Sequence, residues 1–395
     1  MSRPSSKAWL AGLAAPLAAC TVASTQPSGD PDSTFPSRRT SYPIGERALG
    51  FIANQFDDSV SVVDLDSMAV LGTSPVGRDP VEIDGPRHLT WNADQARFYA
   101  VLSYPFEVVS PHATQFGSSI RAGYVQSLDA ADLRPVGEVR AEERAGDLAL
   151  AADGSQLAVT HFDTLRSLEG ETLAERRSDL VLIEQPVGMT SATAPSWRAP
   201  ACIAPSAIAY GQQSDRAFLV CTGEDSIGVM DTRQGALISL TPSAAPMLNK
   251  PFKPWTITLD GPRERLLISN QQVNTVDTFS AEDNPRLLSS ARVNGVPFHA
   301  AWVGEAEFIV ALQRPNGVAR VSATDGAVLA EAAYSTAECE NPSEPQLLPD
   351  GRLFLICEGD HYAVGALAEL DPRTLTIVQR VELGLYPERM AVVLP

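Results

Sequence analysis

The sequence predicts an all-β fold, a seven-bladed β-propeller of four-stranded blades, on three observations. Short apolar strands recur in one fixed order through most of the 395 residues. Turn residues, often Asp-Gly, separate them at matching places. The chain also ends in a lone strand, while its first hairpin lacks a leading strand, so the two ends complete one blade.

The repeat is a polar or Pro-containing lead-in, a first strand, a turn and a second apolar strand, then a variable loop and two further strands. First strands begin near His88, Asp147, Ser206, Pro254, His299, Glu344 and Arg389. The last four starts are spaced by 45 residues and Ser206 precedes Pro254 by 48, whereas the two earlier intervals are 59. A blade of four short strands needs about 45 residues, so the longer intervals carry loop insertions. Second strands alternate or run apolar, as in ARFYAVL, RAFLVC and RLFLIC. Third strands such as SVSVVDLDS and SIGVMDTRQG end in acidic turns.

Asp153-Gly154, Asp260-Gly261 and Asp350-Gly351 fall between first and second strands, where a tight hairpin calls for positive φ. The run Phe51-Ile52-Ala53-Asn54-Gln55-Phe56-Asp57-Asp58-Ser59-Val60-Ser61-Val62-Val63-Asp64, and in part Ser226-Ile227-Gly228-Val229-Met230-Asp231-Thr232, resembles the YVTN-type repeats of bacterial β-propellers. The resemblance covers roughly residues 46–395 and implies a fold more than a function. Met390–Leu394 is expected to join the blade begun by residues 47–76 and seal the ring, which leaves no long free sheet edge.

Four cysteines repeat with the blades. Cys202 and Cys339 stand just before first strands, and Cys221 and Cys357 end the paired second strands. In an antiparallel hairpin the start of one strand lies beside the end of the next, so Cys202–Cys221 and Cys339–Cys357 are the expected disulfides.

The N-terminus reads as an address. Arg3 and Lys7 precede the apolar run WLAGLAAPLA, and Leu17-Ala18-Ala19-Cys20 follows. That segment resembles the lipobox of bacterial lipoproteins, which implies cleavage after residue 19 and lipidation of Cys20. The apolar run is too short to span a bilayer, which takes about 20 residues. Residues 21–43, rich in Ser, Thr and Pro, cannot bury enough apolar surface to fold. The expected organisation is a signal peptide at 1–19, a lipidated cysteine and tether at 20–45, and a propeller at 46–395. The location implied is the bacterial cell envelope, on the outer membrane or the periplasmic side of the inner membrane.

A formal net charge of −18 argues against nucleic acid as a partner. Partners therefore reduce to a membrane, through the lipid, and a protein or small-molecule ligand. Loops entering first strands and loops joining second to third strands share one face. The insertions 103–121 and 161–177 and the connection 241–253 enlarge it, which makes it the candidate binding face. Arg87, His88, Asp147, Lys253, His299, Glu344, Glu388 and Arg389 sit near the starts of first strands, where they would line the channel mouth. His88, His161, His299 and His361 are candidate metal ligands, with Asp163 and Asp360 as oxygen donors, and His112 lies in the long insertion. Trp91, Trp255 and Trp302 are expected to pack. No Cys-x-x-Cys-His appears, so covalent haem is not expected, and no catalytic motif stands out. The reading is a tethered binding or scaffold propeller; the alternative is a metal-binding, lactonase-like or redox enzyme using the same face.

Overall fold

The protein, seen in a computed structural model, is described over residues 39–78, 83–103, 122–189, 196–243 and 251–395. The expected signal peptide, Cys20 and most of the tether lie outside the described residues. So do His112, most of the insertion 103–121, and residues 244–250 of the connection 241–253. Among the described residues no helix is long and apolar enough to cross a membrane.

Seven four-stranded antiparallel sheets form a ring. Blade 1 holds Leu49–Asn54, Ser59–Asp64 and Ala69–Pro75, with Pro387–Val393 as its innermost strand. The closure is a true ladder, with Leu49 opposite Val393 and Ile52 opposite Met390. Blades 2 to 7 begin with the inner strands Pro86–Asn92, Ala145–Leu150, Pro205–Tyr210, Pro254–Asp260, Val296–Trp302 and Pro342–Leu347. Each contains one of the starts read from the sequence. Upstream of blade 1, Arg39 Nη1 donates to Pro75 O and Leu133 O, and buried Tyr42 packs edge-on against Phe51. Packing on the ring therefore begins ahead of residue 46.

The second strands are the core. Phe51 and Phe98, from blades 1 and 2, are fully buried with ring centroids 4.3 Å apart. Each such side chain stabilises the packing by about 1.5–3 kcal/mol. Outer strands such as Val328–Ala333 are mostly exposed. Cys202–Cys221 and Cys339–Cys357 are disulfides with Cα separations of 5.8 and 5.2 Å.

One turn departs from expectation. Gly154 and Gly351 have positive φ, 69° and 90°. At Asp260-Gly261 the chain instead makes a 3₁₀ turn over Gly261–Arg263, and Glu264 takes the left-handed conformation at φ 49°. Pro262 fits the first turn of such a helix, which moves the left-handed residue to its end.

Candidate functional site

The site begins as a backbone irregularity repeated in all seven blades. Near the start of each inner strand the register slips, as between Pro86 and His88, Pro254 and Thr256, or Pro342 and Pro345. Bulges of this kind re-aim side chains. Immediately before the strand sits a residue with positive φ: Gly85, Arg144, Ala204, Lys253, Asn341 and Tyr386 at 47–68°, and Gly295 at 157°. Four of the non-glycine residues precede proline, where a left-handed backbone is doubly disfavoured; each costs of order 1–3 kcal/mol. Backbone bonds offset the cost. The carbonyls of Arg144, Lys253, Asn341 and Tyr386 accept from the N–H groups of Phe162, Gln271, Glu358 and Gln55.

The bulged residues form a constriction on the ring axis. His88 donates from Nδ1 to Asp147 Oδ1, and Asp147 Oδ2 accepts from Ile208 N at 3.1 Å. Ser206 donates to Trp255 O at 2.8 Å, and Thr256 to Phe298 O at 3.1 Å. Arg389 reaches a ring nitrogen of His299 and pairs with Glu344, Nε to Oε1, at 3.2 Å. Arg87 pairs with Glu388 at 2.9 Å. Most of these contacts link neighbouring blades by side chains as well as by packing, and Arg389 to His299 reaches from blade 1 to blade 6. The space left between them is about 10 Å³, the room of about one water.

Burial sets the protonation states here. Alone it would raise the Asp147 carboxyl, but His88, Arg389 and the Ile208 amide outweigh it and hold that group well below the carboxylate range. Burial and Arg389 push the His299 imidazole far down, so it stays neutral. Burial raises Glu388 despite Arg87. Its Oε2 has no hydrogen-bond partner among the described residues.

Above the constriction opens a vestibule of about 340 Å³, within the size range of small-molecule sites. Lys253, Asn341 and Tyr386 come from the left-handed entry positions, and Gln271, Gln313, Arg314, Glu358 and His361 from the ends of second strands. Trp255 and Phe298 supply apolar wall, and Glu388 belongs to both spaces. His361 stacks on Tyr386 with centroids 3.8 Å apart, and its Nε2 lies 3.4 Å from Glu358 Oε2. Burial raises the Glu358 carboxyl against the pull of His361.

The residues singled out from the sequence thus divide. Arg87, His88, Asp147, His299 and Arg389 line the constriction, and Glu344 braces it through Arg389. Lys253 and His361 belong to the vestibule. His161 is buried in blade 3, donates from Nδ1 to Asp179 O at 2.7 Å, and is pushed down to about 4 by burial. Asp163 caps the short helix Thr164–Glu169, and Asp360 accepts from the amides of Tyr362 and Ala363.

The four histidines are not gathered into one ligand set. Among the described residues, the one group with ligand atoms within 4.8 Å of one another is Cys202, Cys221 and Glu224. Its two sulfurs are bonded to each other. Trp91 packs on Phe98 and Trp302 on Phe308; Trp255 differs by facing both spaces. Sequence reasoning missed Gln271, Gln313, Arg314, Asn341, Glu358 and Tyr386. A usable signal existed, the recurring residue-Pro step before first strands.

No protein-family model and no curated protein matches the sequence. Solved structures do match. The periplasmic gluconolactonase PpgL of Pseudomonas aeruginosa is 14% identical with a TM-score of 0.62, over 88% of this chain and all of that one. A Bacteroides uniformis protein provisionally called a 6-phosphogluconolactonase is 10% identical, also with a TM-score of 0.62 and the same coverage. The dihydro-haem d1 dehydrogenase NirN is 16% identical with a TM-score of 0.56, over 92% of this chain and 78% of that one. These likenesses show the fold.

Proposed function

We propose that this chain is a lipid-tethered propeller of the bacterial envelope that binds a small polyhydroxylated solute in the vestibule. The observation that carries the reading is the vestibule itself, about 340 Å³ above a nearly filled constriction. A solute entering it would rest on a closed floor. Its walls offer amides, a stacked imidazole and buried carboxyls around the apolar surface of Trp255 and Phe298. Amides and carboxyls match hydroxyl groups, and an aromatic face suits the C–H side of a sugar ring. The lipobox-like Leu17-Ala18-Ala19-Cys20, the resemblance to YVTN-type repeats and two disulfides, which persist in oxidising compartments, support the envelope placement.

Titration calorimetry of the purified full chain with gluconate, sorbitol and glucose tests the reading. Saturable binding of at least one is expected, and Gln272→Trp, a bulky side chain at an exposed residue of the vestibule wall, should remove it. Absence of binding across the panel, or binding indifferent to Gln272→Trp, would sink the proposal. Palmitate labelling lost in Cys20→Ala checks the tether separately.

A second reading, lactone hydrolysis in the same space, is favoured by His361 beside the buried Glu358. There Glu358 would take a proton from water attacking the lactone carbonyl. The acyl C–O bond breaks, and the ring oxygen leaves as a hydroxyl. The names of the two lactonase-like neighbours agree with it. Ring opening of δ-gluconolactone followed at constant pH, and its loss in Glu358→Gln, separates turnover from binding.

A further inference from the structure

The vestibule contains a charge asymmetry that its floor does not. Both arginines of the constriction are spoken for, Arg87 by Glu388 and Arg389 by Glu344. Lys253 and Arg314, on the rim of blades 5 and 6, are different. Both are exposed, and among the described residues neither has a carboxylate within 4.0 Å. The Lys253 ammonium is lowered by burial and then by the neighbouring Arg314. Two neighbouring cations without a counter-charge are unusual in a chain of net charge −18, where surface carboxylates are plentiful.

Both cations stem from defined backbone positions, and that of Lys253 is braced by hydrogen bonds. Lys253 and Arg314 have left-handed backbones, φ 52° and 55°. Asp225 Oδ1 accepts from the amides of Phe252 and Lys253 at 3.0 and 2.9 Å, and Gln271 N donates to Lys253 O at 3.0 Å. The Lys253 ammonium stands 5.4 Å from the centre of the Trp255 ring. Across the same space, on blades 7 and 1, lie the buried carboxyls of Glu358 and Glu388. A ligand placed there meets positive charge on one side and hydrogen-bond acceptors on the other.

We infer that Lys253 and Arg314 form an oxyanion subsite, so that the solute is a hydroxylated acid whose carboxylate or phosphate group rests on blades 5 and 6. Its hydroxyl-bearing end then faces Glu358 and Glu388. This inference rests on the vestibule being a binding site, and it adds the charge and the orientation of the occupant. A carboxylate and a phosphate would use the same two cations; a guanidinium fork suits either.

The test compares gluconate, glucose 6-phosphate and uncharged sorbitol on the full chain by titration calorimetry. The wild type is expected to bind one or both anions at least tenfold more tightly than sorbitol, with affinity falling as salt rises. The tighter anion identifies the source of the oxyanion. Lys253→Gln and Arg314→Gln should each weaken anion binding by about tenfold and sorbitol binding by much less, while Arg314→Lys restores part of the loss. Equal affinities for anions and sorbitol, or anion binding untouched by both substitutions, overturn the subsite and leave the vestibule reading standing. Failure of all three solutes to bind removes the vestibule reading and the subsite together. Both side chains are exposed, and unchanged melting curves establish that the variants fold.

Discussion

The constriction and the vestibule are built from the same repeated device, a left-handed residue followed by a bulge, yet they treat charge in opposite ways. In the constriction, arginine, carboxylate and imidazole are buried or half-buried and matched to one another, and almost no space remains. In the vestibule, a few ångströms of chain away, the cations are exposed and unmatched around about 340 Å³. Buried ion pairs that lose one partner leave the other charge stranded, whereas exposed charges contribute little to stability. The same residue type therefore serves cohesion in one place and recognition in the other.

The most severe way to break this contrast is Arg389→Met. It leaves the Glu344 carboxylate with the Met390 amide but no counter-charge and removes the donor to His299, and should cost about 3–5 kcal/mol in urea unfolding. A loss below about 0.5 kcal/mol would mean that the belt of side-chain bonds does not hold the ring. Next come the disulfides. Replacing Cys339 and Cys357 by alanine, or Cys202 and Cys221, should cost about 3 kcal/mol each by the loop-closure relation. Only the first pair flanks the vestibule, through Asn341 and Glu358, so only its loss should also weaken solute binding.

One histidine sharpens the comparison through pH. The His161 imidazole is pushed down to about 4 in the folded protein, while the unfolded chain takes its proton near 6.5. Between those values the unfolded state binds more protons, so stability falls as pH falls. The wild type should lose about 3 kcal/mol relative to His161→Gln from pH 7 to 4. Buried Asp58 and Asp277, pushed up by burial to about 7 and about 6, act in the opposite sense, so the variant difference is the quantity to read. Conversely, a pH-independent difference would show that His161 charges freely. The smallest expected effect is on the rim, where Lys253→Gln and Arg314→Gln should change unfolding free energy by less than about 0.5 kcal/mol while altering binding.

The ring was legible in the sequence because its evidence is local. A strand, an Asp-Gly turn and a second strand lie within some twenty residues, and each cysteine pair spans one such hairpin. Closure was legible because the two chain ends each lacked what the other supplied. The charge pairing was not. Arg87 and Glu388 lie 301 positions apart, and nothing short of the ring's geometry brings them together. The histidines illustrate the same limit. Topology put all four near one face, but a one-residue bulge turns His88 and His299 to the axis, while His161 finishes in the interior of blade 3. The vestibule draws on blades 5, 6, 7 and 1 together, a convergence that no single repeat encodes.

The strand Pro387–Val393 is the latch of blade 1, and it also brings Glu388 and Arg389 to the axis. The residues that fasten the circle and those that cork its middle are thus the same short stretch, and they are the last of the ring to be synthesised. A chain emerging N-terminus first holds Leu49–Asn54 with an open flank until Pro387–Val393 is made, and Arg87 waits 301 positions for Glu388, His299 90 positions for Arg389. Such late, long-range closure slows folding. A quality-control protease sampling this chain as it folds would thus meet an all-or-none object: a ring that is shut and plugged in one step, or one that is neither.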